Sequence, residues 1–160
     1  MSRPRTAALI IASTRAAAGV YQDECGPLIQ RWLAGKGYAV QRAEVVPDGD
    51  EVRGALAQCL DEAPSVLITS GGTGLSSDDV TPDLTEPFLT RSLPGIMEAV
   101  RRAGAAKTPM AALSRGFAGV SGSTFVINLP GSPGAVQDGL TVLDPILDHI
   151  CDQLEGNHEH

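Results

Sequence analysis

Apolar residues come along this chain in two rhythms, short dense runs and stretches with a period of three to four, and the alternation predicts buried strands separated by amphipathic helices. Ala7 to Ser13 is an apolar run that reads as a first strand buried on both faces. Between Asp23 and Ala34, the residues Cys25, Leu28, Ile29, Trp32 and Leu33 fall at helical spacing, with Gly35 and Gly37 as a stop. Tyr38 to Val46 reads as a second strand, broken by Pro47. A second helix is marked by Val52, Leu56, Cys59, Leu60 and Ala63, with Asp48 or Asp50 as its cap. Ser65 to Ser70 is a third apolar strand, and it runs straight into Gly71-Gly-Thr-Gly74 and the polar stretch Ser76 to Asp79.

Beyond that loop, Thr81-Pro82-Asp83 predicts a helix with Thr81 as N-cap and Pro82 at its first position, running to about Thr90. Pro94 opens another, with Ile96, Met97, Val100 and Ala103 on one face and an end near Gly104. Leu113 to Val120 and Ser123 to Leu129 predict two strands joined by a tight Ser121-Gly122 turn. From Ser132-Pro133 onward, Val136, Leu140, Leu143, Leu147, Ile150 and Leu154 predict one long final helix. This order is that of an α/β fold, a three-layer sandwich with a mostly parallel sheet, helices on both faces and a short antiparallel edge. A single domain over residues 1–155 and a flexible polar tail over 156–160 are expected. Ligands of such sheets bind beyond the carboxyl ends of the strands, so Ser13-Thr14, Val46-Pro-Asp48, Gly71 to Asp79 and Asn128 to Ser132 are expected to converge.

Charge removes several classes of function. Twelve basic against 19 acidic residues leave a net charge of −7, so no diffuse basic surface is available for nucleic acid. No apolar run approaches the roughly 20 residues that span a bilayer, and no membrane partner is expected. The opening, Arg3 and Arg5 before Thr6 to Ala12, imitates a secretory signal, yet Arg15 interrupts it and a buried first strand accounts for the same residues. Cys25, Cys59 and Cys151 are odd in number and far apart, which points to reduced thiols and a cytoplasmic location.

Candidate chemistry gathers in the loops. Gly71-Gly-Thr-Gly74 has the backbone freedom to turn successive N–H groups toward one anion, with the Thr73 hydroxyl as a further donor; a plain turn is the competing reading. The motif is neither a Walker A loop nor a dinucleotide fingerprint. Asp48, Asp78 and Asp79 lie just past two strand ends, where carboxylates can share a hydrated Mg2+ that bridges substrate phosphates. Against this stand a helix cap for Asp48 and a solvated loop for Asp78, whereas Asp79 is braced by the helix start after it. Asn128-Leu-Pro-Gly-Ser-Pro133 could set the last helix's N-terminus against a second anion, or be a capped turn. Ser114-Arg115 reads equally as an anion clamp or a surface ion pair. No catalytic role falls to His149, His158 or His160.

Taken jointly, Thr69-Ser-Gly-Gly-Thr-Gly74, Asp79-Val-Thr-Pro-Asp83, Leu113-Ser-Arg115 and Asn128 to Pro133, with Gly19 to Asp23 and Val46-Pro-Asp48, resemble the Mog/MoaB family of molybdenum cofactor biosynthesis proteins. The similarity runs from about Ala7 to Leu154. It implies a molybdopterin adenylyltransferase that transfers AMP from Mg-ATP to the phosphate of molybdopterin, releases pyrophosphate, and precedes molybdate insertion by a MoeA-type partner. Asp48 and Asp79 are implied as the catalytic acids and Mg2+ ligands. The implied substrate-binding residues are Ser13, Gly71, Gly72, Thr73, Gly74, Thr81, Ser114, Arg115, Asn128, Pro130, Gly131 and Ser132. A homotrimer is implied as well. Ser76-Ser-Asp78 departs from relatives with basic residues before the motif aspartate, which weakens any charge clamp on the nucleotide. The alternative within the family is a MoaB-type pterin carrier without efficient adenylylation, and the retained pair Asp48 and Asp79 favours the enzyme. An FMN carrier is disfavoured by an aromatic content of 4%.

Overall fold

A computed structural model describes residues 4–156, so Arg3 and the tail residues from 157 onward lie outside the described part. Strand β1 (Thr6–Ala12) is central because both of its faces are apolar: Ala7, Leu9 and Ile11 point into one core, Ala8, Ile10 and Ala12 into the other. It is followed by a four-residue helix α1 (Thr14–Ala17), then α2 (Cys25–Gly35), β2 (Ala39–Val46), α3 (Glu51–Asp61) and β3 (Val66–Ser70). The second half holds α4 (Thr81–Thr85), β4 (Arg91–Ser92), α5 (Pro94–Ala105), β5 (Ala118–Ser121), β6 (Thr124–Leu129), α6 (Pro133–Leu143) and α7 (Leu147–Leu154).

The six strands form one sheet in the order β2-β1-β3-β6-β5-β4. The first four are parallel, and β5 and β4 close the edge antiparallel. One face is covered by apolar residues of α2, α5, α6 and α7, the other by α3 with Leu84 of α4. This is the expected three-layer arrangement. The two faces explain the sequence: β3 is buried at every position, whereas edge strand β2 alternates between exposed and half-buried residues.

Four local expectations are corrected. The final helix is two helices: Pro145 has no N–H and its ring clashes with the preceding turn, so α6 ends at Leu143 and α7 starts at Leu147. The apolar rhythm runs on across the break because both helices pack on the same face of the sheet. Helix α4 stops at Thr85 and passes into a 3-10 turn over Glu86–Phe88, and its N-cap is Val80, with Thr81 one position inside. Asp50 occupies the N-cap position of α3 without a side-chain cap bond, while Asp48 points elsewhere. Leu113 belongs to a 3-10 turn (Pro109–Leu113), and β5 begins only at Ala118.

Candidate functional site

The carboxyl ends of the parallel strands lie side by side, with Ala12 paired to Val46, Ile11 to Ser70 and Ser70 to Leu129. The four segments leaving them meet as expected. Ser13, Asp48, Gly71, Gly72, Asp79 and Gly131 share the lining of a cavity of about 160 Å³. Close approach of backbones makes glycine necessary at its floor. A Cβ on Gly71 (φ +98°) would stand 2.2 Å from the Ala12 carbonyl oxygen, and one on Gly72 (φ +67°) 2.2 Å from Thr81 Oγ1 and 3.2 Å from Asp48 Oδ1.

Asp48 is held by Thr14. Both the N–H and the hydroxyl of Thr14 donate to Asp48 Oδ2, at 3.1 and 3.2 Å, and Thr14 Oγ1 accepts from the Asp48 N–H at 3.1 Å. The other carboxylate oxygen, Oδ1, is buried without a partner, as is Thr81 Oγ1, and both adjoin the empty Cβ position of Gly72. Buried polar atoms are ordinarily satisfied, so this orphaned pair is where a ligand atom belongs. Asp79 Oδ2 accepts from the Ser76 N–H at 3.0 Å, and the Asp79 N–H donates to the Ser76 carbonyl, which fixes the acid within its own turn. Among the described residues, no three His, Cys, Asp or Glu side chains form a complete metal cage. The donor set suits Mg2+ even so, because that ion uses one or two carboxylates and leaves its other positions to water and substrate phosphates.

A second, largely apolar cavity of about 390 Å³ lies on the far side of the same loops. Thr73, Gly74, Ser114, Pro130 and Ser132 line it, with Val100, Lys107, Met110 and Leu113 on its outer wall. Segments 71–74 and 130–132 are therefore a partition with one face toward each cavity. Thr73 is buried, and the Ser114 hydroxyl donates to Thr73 Oγ1 at 3.3 Å. Ser132 caps α6 by accepting from the Ala135 N–H.

Two expected ligand-binding residues brace the site from behind. Arg115 Nε donates to the Gly74 carbonyl at 3.0 Å, its Nη2 to the Asp79 carbonyl at 2.6 Å, and both terminal nitrogens to the Asp83 carboxylate. The guanidinium is spent on clamping residues 74–83, and its hydrogen bonds hold the Asp83 carboxyl below the usual carboxylate range. Asn128 is fully buried, accepts from the Phe117 N–H and donates to Thr69 Oγ1 and Thr85 Oγ1, so it ties β6 to β3 and α4. The Pro130 carbonyl accepts from Ser70 Oγ at 2.8 Å.

Sequence reasoning left Tyr21 and Asp23 without a role at the site, and placed Thr14 there without its bond to Asp48. Tyr21 and Asp23 line the acidic cavity, and Asp23 also accepts from the N–H groups of Cys25 and Gly26 at the start of α2. An Asp two residues before a helix start was the available signal. The outer wall of the larger cavity had none, because the 3-10 turn that forms part of it carries no periodic pattern.

Comparison with known proteins places the chain in a family. Residues 8–149 match the family model described as a probable molybdopterin binding domain. A molybdenum cofactor biosynthesis bifunctional protein of Chlorobaculum tepidum is 39% identical, over 96% of this chain and 49% of its own length, so the chain spans about half of that relative. A molybdopterin adenylyltransferase of Helicobacter pylori is 33% identical over 94% of this chain and 88% of its own length. The solved structure of the molybdopterin biosynthesis Mog protein from Mycobacterium ulcerans superposes with a TM-score of 0.92 at 47% identity, covering 97% of this chain and 99% of that one.

Proposed function

The chain belongs to the molybdopterin-binding domain family of molybdenum cofactor biosynthesis, and on that premise we propose that it is a molybdopterin adenylyltransferase using Mg-ATP. One observation carries the proposal: an acidic cavity and an apolar cavity stand back to back on a partition of glycine-rich loops. The apolar side suits a flat heterocycle such as the pterin, the acidic side suits a polyphosphate with its cation, and the partition is where two phosphates can meet.

In this reading a phosphate oxygen of molybdopterin attacks the α-phosphorus of ATP. The new P–O bond forms as the bond to the β-phosphate breaks, and pyrophosphate leaves with the electron pair. Asp48, through its unpartnered Oδ1, and Asp79 would hold Mg2+, which would supply charge neutralisation for the polyphosphate. Thr14 keeps Asp48 in position, Ser76 does so for Asp79, and Arg115 keeps the loop between the cavities closed. Gly71 and Gly72 let the phosphate reach the backbone, and the buried Thr81 hydroxyl offers it a donor.

A homotrimer and delivery of the product to a MoeA-type insertase belong to the same proposal and rest on the family. A cytoplasmic location is supported by three buried free cysteines. No helix among the described residues is long and apolar enough to cross a membrane. Purified protein mixed with molybdopterin and Mg-ATP is expected to yield AMP-bearing pterin and pyrophosphate in equal amounts. Pterin binding without either product would make the chain a carrier.

A further inference from the structure

The acidic cavity carries an unbalanced negative charge. Asp23, Asp48 and Asp79 line it, and among the described residues no lysine or arginine does. A nucleotide polyphosphate is itself strongly anionic, and one divalent ion does not neutralise three carboxylates and a triphosphate together. The basic residues around the partition are already engaged: Arg115 with Asp83 and two carbonyls, Arg101 with the carbonyls of Ser114 and Gly116, Lys107 with Asp138.

Arg15 is different. It is exposed, and its guanidinium carbon sits 5.9 Å from the ring centre of Tyr21, itself a lining residue of the acidic cavity. Its backbone is rigidly placed. Ser13 caps α1, Thr14 is bonded to Asp48, and the Arg15 carbonyl accepts from the Val20 N–H at 2.9 Å, which folds the segment back so that Tyr21 returns to Arg15. Gly19, at φ +74°, makes that reversal possible. The side chain is thus parked on an aromatic face at the cavity rim, a weak hold that a phosphate can outcompete.

We propose that Arg15 is a substrate-binding residue that takes the polyphosphate chain of the nucleotide, with Tyr21 as the platform that aims it. The inference rests on the adenylyltransferase reading, and it assigns Arg15 to the nucleotide and not to the pterin. The guanidinium supplies two parallel N–H donors that suit non-bridging phosphate oxygens, a geometry that lysine does not reproduce.

The test uses the intact protein and its variants Arg15→Ala, Arg15→Lys and Tyr21→Ala, with Arg31→Ala on α2 as a control for net charge. Mg-ATP and molybdopterin are titrated separately by calorimetry, and AMP transfer is followed at varied ATP. Arg15→Ala is expected to weaken Mg-ATP binding and raise its KM by about 10- to 100-fold, as for loss of a charged hydrogen bond. Molybdopterin affinity and the melting temperature should stay at wild-type values. Arg15→Lys should recover only part of the loss, Tyr21→Ala should lose less than Arg15→Ala, and Arg31→Ala should change nothing. Equal ATP affinity in wild type and Arg15→Ala overturns the proposal, as does an equal loss in Arg31→Ala. A wild-type protein that binds Mg-ATP without transferring AMP overturns the enzymatic reading alone, and the same titrations then decide the role of Arg15. A wild type that does not bind Mg-ATP overturns both.

Discussion

Thr14 and Asp48 are joined by three hydrogen bonds, two of them accepted by Asp48 Oδ2 and the third donated by the Asp48 N–H, while Oδ1 is left buried and unpartnered beside Gly72. The pairing gives the carboxylate one oxygen for structure and one for ligand. Replacing Thr14 with Val removes the hydroxyl at nearly constant volume and lets the carboxylate turn. AMP transfer is expected to fall by about 10-fold, the equivalent of one modest hydrogen bond, with molybdopterin binding retained. Steady-state rates beside a pterin titration check this.

Removing the charge should cost more than loosening it. Asp79→Asn, and more weakly Asp48→Asn, are expected to lower the rate of AMP transfer by about 10³, or roughly 4 kcal/mol of transition-state stabilisation, while molybdopterin still binds. Single-turnover assays at saturating pterin measure it, and a wild-type rate in Asp79→Asn would reduce that acid to a loop brace.

Two neighbouring glycines should behave differently. Alanine at either position is strained by about 1–2 kcal/mol through the positive φ. At Gly71 the added carbon meets the Ala12 backbone, which cannot move without displacing β1, so Gly71→Ala should mainly lower the melting temperature. At Gly72 it meets the Thr81 and Asp48 side chains and fills the space between them, so Gly72→Ala should weaken ligand binding beyond its effect on folding. Melting curves and titrations of each ligand separate the two.

The Arg115 clamp predicts an acid limit. Because Arg115 lowers the Asp83 pKa in the folded state, the ion pair's contribution is present above the ordinary carboxylate range and fades as pH falls through the lowered value. Arg115→Lys keeps the charge but loses the forked contacts, and is expected to cost about 1–2 kcal/mol, a drop of about 2–8 °C in Tm. A lysine variant with wild-type Tm and wild-type activity would show that the clamp does not matter.

An alkaline limit follows from Cys59, on the buried face of α3 and pushed up by that burial from 9.0 to about 11. Above the lower value the unfolded chain loses this proton first, so stability should decline between those two pH values and no further from this group. A shift of that size corresponds to about 3 kcal/mol. Cys59→Ala should flatten the decline in thermal melts across that window.

Much of this protein was legible in local pattern. The dense run at Leu9 to Ile11 and the helical spacing of Ile29 and Leu33 report burial directly, because period and polarity decide which face of a strand or helix can leave water. The order of elements then implied a parallel sheet and the convergence of the four loops, and Gly71-Gly72 marked a close backbone approach. Other features depended on partners distant in the chain. The break between α6 and α7 is local to Pro145, but the apolar rhythm that runs across it is explained only by the packing of both helices on one face. Arg115 and Asn128 carry the same donors whether they face a ligand or the protein; the nearness of Asp83, Gly74, Thr69 and Thr85 gives both of them protein partners. Likewise the bonding of Thr14 to Asp48 and the placing of Tyr21 and Asp23 in the wall of the acidic cavity are contacts that element order and hydrophobic periodicity do not encode.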